Sequence, residues 1–263
     1  DGSSGICSSP MIAEIHHHGQ QFRVDLSKPI DLSLPLAPGE GHVRAWYVDP
    51  VAMEPVRNGE NVYAVQHGAP VNFRNVHFNP HGHGTHTESV GHITPGIEPV
   101  GDLLKRYFFT AQVISLRPEE RRAPDGKVDT VITLEQFRSA IDEKPPEAVV
   151  LRTLPNNPGK RTRNWSGANA TYLQSTAAAW LRSIGVRHLL LDLPSVDREE
   201  DGGVLAAHHA FWDFPNTIDL TRTITEMIFV PDEARDGRYL LELQLPHFIN
   251  DAAPSRPVLY AML

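Results

Sequence analysis

Two Val- and Leu-rich segments joined by an Ala-rich one constrain this chain more than any other feature. Ala148 to Leu154 and Val186 to Leu193 read as strands buried on both faces, being short, apolar and without a solvated side. Between them, Thr171 to Ile184 reads as a helix, with Ala177, Ala178 and Ala179 at its centre and Gly185 to stop it. A strand, a helix and a strand in that order imply a right-handed crossover and a parallel pair. Parallel strands need cover on both faces, so an α/β fold with a mixed sheet is expected.

The remaining segments fit around that unit. Ile12 to Leu26 alternates apolar and polar residues about His17-His18-Gly19, which predicts an N-terminal β-hairpin. Residues 29 to 60 are rich in Pro and Gly, with short apolar pieces at Ile30 to Leu34 and Val43 to Val48; strands and long loops suited to the rim of a site are expected there. Val71 to Phe78 alternates again, and Tyr107 to Leu116 reads as a strand. Thr133-Leu134-Glu135-Gln136 is a capping-box pattern opening a helix to Ile141, before Pro145-Pro146. Val204 to Trp212 reads as a short helix. Thr225 to Val230, Tyr239 to Leu245 and Val258 to Met262 read as strands, with a turn at Asp236-Gly237.

At 263 residues, with no internal repeat or low-complexity tract, one domain over 11–263 is expected. Residues 1–10 carry Gly2-Ser3-Ser4-Gly5 and read as a disordered tail or linker remnant with no signal-peptide pattern. The balance of 32 acidic to 24 basic residues, without a basic stripe, argues against nucleic acid and anionic membrane as partners. No apolar run approaches the roughly 20 residues of a spanning helix. A single cysteine, Cys7, excludes an intrachain disulfide and Cys-rich zinc motifs, so a reducing, cytoplasmic location is expected.

Chemistry concentrates in one stretch. Of 14 histidines, six lie between His67 and His92, and the densest run is His81-Gly82-His83-Gly84-Thr85-His86-Thr87-Glu88-Ser89-Val90-Gly91-His92. Imidazole and carboxylate together make the donor set that Zn(II), Mn(II) and Fe(II) accept. On an extended backbone His86 and Glu88 point to the same side. Gly82 and Gly84 allow the preceding loop to fold back and bring His81 or His83 to them. His92 lies about 13 Å from Glu88 if the chain stays extended, and joins them only after a bend at Gly91.

The run from Gly84 to His92 resembles the H-x-G-T-H-x-D-x-P-x-H signature of the metal-dependent cyclase-like hydrolases, the family of bacterial kynurenine formamidase and isatin hydrolase. Asp192 to Asp197, His208 to Trp212 and Ile224 to Met227 extend the resemblance downstream. It implies a swivelling β/β/α fold, a homodimer or homotetramer, and a site for one or two divalent cations, zinc or manganese. Carried over by position, His81, His86, Glu88, His208 and Glu226 would be metal ligands and His92 the proton donor and acceptor. The chain departs from the signature at Glu88, where the family has Asp, at Val90, where it has Pro, and at Gly82, which stands where the upstream His is expected; His81 is preferred over His83 for that place. The implied reaction is hydrolysis of a small amide, lactam or lactone, with a metal-holding binding or scaffold protein as the alternative.

Beyond the signature, His209 competes with His208, and Glu226 would be costly to bury unpaired among Ile224, Met227 and Ile228. Asp192 and Asp197 are expected to satisfy loop amides around Pro194-Ser195. Trp46 and His247 are candidates for the substrate rim. Neither Ser166 nor Ser195 sits in a G-x-S-x-G elbow, and no G-x-G-x-x-G or Walker loop is present.

Overall fold

The strand–helix–strand unit forms as its sequence requires. In the computed structural model, which describes residues 9–123 and 125–263, Ala148–Thr153 and His188–Leu191 are parallel neighbours with Ser175–Ser183 between them in the chain. Cys7 and most of the expected tail lie outside the described residues. Both strands are buried throughout, which explains the lack of alternation in their sequences. Val149, Leu151, Leu189 and Leu191 pack with Phe137, Leu181, Phe211 and Trp212, while Val150 and Leu190 join a second cluster with Tyr239, Leu241 and Leu259. Truncating one such buried Leu to Ala costs about 2–5 kcal/mol, so these positions carry much of the stability.

Nine strands make the main sheet: β1 (Ile30–Asp31), β2 (His86–Glu88), β3 (Phe108–Leu116), β4 (Ala148–Thr153), β5 (His188–Leu191), β6 (Thr223–Glu226), β7 (Gly237–Glu242), β8 (Ala252–Pro254) and β9 (Val258–Ala261). Their order is β8-β2-β6-β5-β4-β3-β7-β9-β1. Strands β3 to β6 run parallel, and the strands outside them pair antiparallel. Three helices, α1 (Leu134–Ala140), α2 (Ser175–Ser183) and α3 (Ala206–Trp212), bury Phe137, Leu181 and Phe211 against the sheet. The capping box at α1 is complete, with Thr133 and Gln136 bonding reciprocally. The hairpin is Ile12–His17 paired with Gln20–Asp25, closed by His18 and Gly19, both left-handed at φ 47° and 70°.

Several boundaries differ from expectation for local reasons. Helix α2 starts four residues later than Thr171, because Tyr172 and Leu173 form a short parallel pairing with Val131 and Ile132. Val43 to Val48 is not a strand; only Arg44 makes isolated bridges, to His83 and Asn164. The strand expected from Thr225 to Val230 is instead β6 and stops at Glu226, where Met227 turns left-handed at φ 51°. Among the described residues, no helix is long and apolar enough to cross a membrane.

Candidate metal centre

Strand β2 lies between β6 and β8, with His86 opposite Glu226 and Glu88 opposite Ile224. The period of two separates its side chains by role. Thr85 Oγ1 donates to Met227 O at 2.6 Å and accepts from Leu34 N at 2.8 Å, while Thr87 Oγ1 bonds Thr225 Oγ1 and Ser255 Oγ, both at 2.8 Å. These threonines are buried and satisfied, and they hold the register that presents His86 and Glu88 together. Glu88 and Glu226 are almost fully buried.

Three imidazoles surround the two carboxylates, and each has its outer nitrogen engaged. His208 Nδ1 donates to Asp197 Oδ2 at 2.6 Å, and its Nε2 lies 3.2 Å from Glu88 Oε1 and 3.9 Å from Glu226 Oε1. His81 Nε2 donates to Asp251 Oδ2 at 2.6 Å, with Nδ1 3.1 Å from Glu88 Oε2. His86 Nδ1 donates to Gly84 O at 3.2 Å, and its Nε2 is 3.4 Å from Glu226 Oε2. His86 Nε2 and Glu88 Oε2 are buried without a hydrogen-bond partner. Donor atoms of His81, His86 and Glu88 lie within 4.8 Å of one another, as do those of Glu88, His92 and His208. The residues present therefore fit a divalent cation: inward lone pairs, two acids and fixed rings.

The bend expected at Gly91 is a turn over Val90–His92 that begins earlier, at Ser89, and it brings His92 to the cluster. Ser89 Oγ accepts from Gly91 N and caps the single turn Val90–His92, placing His92 Nδ1 3.8 Å from Glu88 Oε2. Gly91 is required there, since a Cβ at this position would lie 1.8 Å from Ile97 O.

The charges are strongly coupled. Burial pushes the Glu88 carboxyl up, but His92, His208 and His81 together hold it well below the usual carboxylate range. Burial pulls His208 down, yet Asp197 and Glu88 outweigh it and raise the ring to about 10. His81 is raised to about 10 in the same way, burial being outweighed by Asp251 and Glu88. The acids thus draw positive charge toward these rings, the charge that a cation would supply.

Every residue expected as a ligand or proton shuttle comes together here: His81, His86, Glu88, His92, His208 and Glu226. His83 does not, because Asn79 N donates to its Nδ1 at 2.9 Å and its Nε2 contacts Asp49 O at 2.7 Å. His209 stacks edge-on against Phe214, away from the cluster. Trp46, with Val48 and Leu205, lines a cavity of about 400 Å³ over His81, His92 and His208. His247 does not line it; its largely exposed ring pairs with Asp102 at 2.8 Å. Asp192 is not a loop cap but the buried partner of Lys160 at 2.8 Å, and Asp197 reaches past its own loop to Ala207 N and His208 N at 2.7 and 3.0 Å. Asp251 was not legible in the sequence: it ends an irregular stretch before β8, and only the pairing of β8 with β2 brings it to His81.

Residues 24–198, which include β2 and the His92 turn, match the model of the Cyclase family ("Putative cyclase"). The chain belongs to the Cyclase family. Solved structures of similar fold include a potential metal-dependent hydrolase with cyclase activity, at 18% identity and a TM-score of 0.59, covering 89% of this chain and 97% of that one. A predicted metal-dependent hydrolase from Bacillus stearothermophilus is 19% identical, with a TM-score of 0.58 and coverage of 89% and 98%. Isatin hydrolase A from Labrenzia aggregata is 13% identical, with a TM-score of 0.61 and coverage of 90% and 94%. These likenesses establish the cyclase-type fold, with its mixed sheet and N-terminal hairpin.

Proposed function

We propose that this Cyclase-family protein is a metal-dependent hydrolase of a small amide, lactam or lactone. The observation that carries the reading is the inward orientation of His81, His86 and His208 around Glu88 and Glu226, with His86 Nε2 and Glu88 Oε2 buried and making no hydrogen bond of their own. Two adjacent buried carboxylates and three rings tied from behind would be a costly arrangement without a cation. A divalent ion such as zinc or manganese supplies, when bound, a water acidic enough to attack at neutral pH and a charge that polarises the scissile carbonyl.

The chain's own residues divide the remaining work. Glu88 and Glu226 would supply the negative charge that holds the cation, and His81, His86 and His208 would complete its donors. His92, partly exposed at the cavity, takes a proton from the attacking water and returns it to the leaving nitrogen or oxygen. Trp46, Val48 and Leu205 give the cavity an apolar wall against which the body of a small organic substrate can pack. The cavity's cation, Arg198, is already engaged by Asp125 and Asp129 at 2.7 and 2.8 Å, while Glu199 and Asp201 also face the cavity. An uncharged substrate suits such a lining better than an anion. Similarity in fold to isatin hydrolase A and to metal-dependent hydrolases supports the same reaction class.

The imidazole at His92 also favours an enzyme over a metal-holding scaffold, because a scaffold has no use for a partly exposed ring beside the acids. The test is a screen of N-formyl arylamines, lactams and lactones with zinc- and manganese-loaded protein, run beside His92→Ala. Turnover that falls roughly 100-fold or more in His92→Ala while metal content is kept supports the reading. Metal binding without turnover of any of the three classes would return the protein to the scaffold role.

A further inference from the structure

We infer that Asp251 is a positioning residue shared by two imidazoles, fixing His81 on the cation side of the centre and His92 on the proton-transfer side. This role rests on the metal-dependent reading above. Asp251 is anchored by its backbone: its carbonyl accepts from Ser89 N at 2.9 Å, and the next residue, Ala252, pairs opposite Glu88. Its Cβ is 3.0 Å from the position a Cβ would take on Gly91, so it is pressed against the turn that carries His92. From that place one oxygen, Oδ2, faces both rings, at 2.6 Å from His81 Nε2 and 3.6 Å from His92 Nδ1. The two rings lie with centroids only 4.3 Å apart.

The other imidazoles of the centre are tied separately. His208 is held by Asp197 and His86 by the carbonyl of Gly84, and neither acceptor serves a second ring. His92 faces two carboxylates, Glu88 at 3.8 Å and Asp251 at 3.6 Å. Once Glu88 is committed to a cation, Asp251 is the carboxylate left facing His92, and its charge beside Nδ1 favours the ring orientation that leaves Nε2 for the substrate. Asp251 does not itself line the cavity, so its influence passes through the two rings. A residue that served only the fold would be indifferent to which tautomer His92 adopts.

Three readouts on Asp251→Ala and Asp251→Asn test this: the zinc dissociation constant by chelator competition, the tautomer of His92 by ring ¹⁵N NMR on the zinc-loaded protein, and kcat and KM for formanilide at saturating zinc. Asp251→Ala is expected to weaken zinc roughly 10- to 100-fold, the usual effect of removing a carboxylate behind a ligating His. It should also lower kcat at saturating zinc by about 10-fold or more, with a smaller change in KM, and release His92 into mixed tautomers. Asp251→Asn keeps an acceptor for His81, so its zinc affinity should stay closer to wild type while the His92 signal and kcat still change. Circular dichroism confirms that the Asn variant is folded. Wild-type affinity and a wild-type His92 spectrum in Asp251→Ala would overturn the role, as would full recovery of kcat at saturating zinc. A wild-type protein that binds no zinc would instead refute the metal-dependent reading itself.

Discussion

Asp197 offers the sharpest quantitative test, because one carboxylate serves both the fold and the centre. It accepts from Ala207 N at 2.7 Å, His208 N at 3.0 Å and His208 Nδ1 at 2.6 Å. Leu205, which precedes helix α3, provides no side-chain cap, so Asp197 satisfies the first amides of that helix from a distance. Losing such a cap costs about 0.5–2 kcal/mol. Leaving the buried His208 N–H without its charged acceptor adds about 1–3 kcal/mol. Because the groups are coupled, Asp197→Ala is expected to destabilise the metal-free protein by about 2–4 kcal/mol in urea unfolding. The same variant should weaken zinc about 10- to 100-fold, since His208 loses the acceptor that orients it. The pH dependence has a defined sign. Burial raises the Asp197 carboxyl, but His208 and the amides outweigh it and hold the group below the ordinary value of 3.8. Its contribution is present above that value and vanishes as pH falls through the lower folded-state value, so wild type and variant converge in strong acid. A destabilisation under about 0.5 kcal/mol at neutral pH, together with unchanged zinc affinity, would refute this account of the helix and of His208.

Other outcomes follow from single residues. Gly91→Ala places a methyl where Ile97 O already sits, so zinc should still bind at His86 and Glu88 while turnover drops sharply; unchanged kinetics would show that the His92 turn is not needed. His81 and His208 are both raised to about 10 without a cation, so zinc must displace protons, and calorimetry in buffers of different ionisation heat should show about two released per ion at pH 7. His188 is fully buried against Phe109 and its pKa is lowered to about 3 by burial, so the unfolded chain takes up a proton that the folded one refuses. The His188 contribution to stability should therefore be lost as pH falls below the unfolded-state value of 6.5, and His188→Gln should lessen the acid slope of the unfolding curves. Formanilide should be preferred over its ring-carboxylated analogue, as judged by kcat/KM, because Arg198 is already paired.

What the sequence revealed depended on how local each signal was. The double-sided burial of β4 and β5 is written in their unbroken apolar runs, and the capping box of α1 in four consecutive residues. The donors of β2 were legible because a strand places alternate side chains together, and the spacing of His92 demanded a bend near Gly91, though not its start at Ser89. The choice between His81 and His83 was not, since both flank Gly82; it is decided by Asp49 O and Asn79 N, which engage both nitrogens of His83. Asp251 and the long reach of Asp197 depend on contacts across 170 and 11 positions, which no periodicity encodes. Tyr172 and Leu173 have helix-compatible neighbours, yet pairing with Val131 and Ile132 draws them into a strand.

The central claim is that the buried ring of histidines and glutamates holds a catalytic cation. Anomalous diffraction from crystals of the zinc- or manganese-loaded protein tests it most directly. A peak about 2.0–2.3 Å from His86 Nε2 and from oxygens of Glu88 or Glu226, absent in His86→Ala, is the predicted result. Loaded crystals with no peak in this cluster, or with their metal elsewhere on the chain, would contradict it.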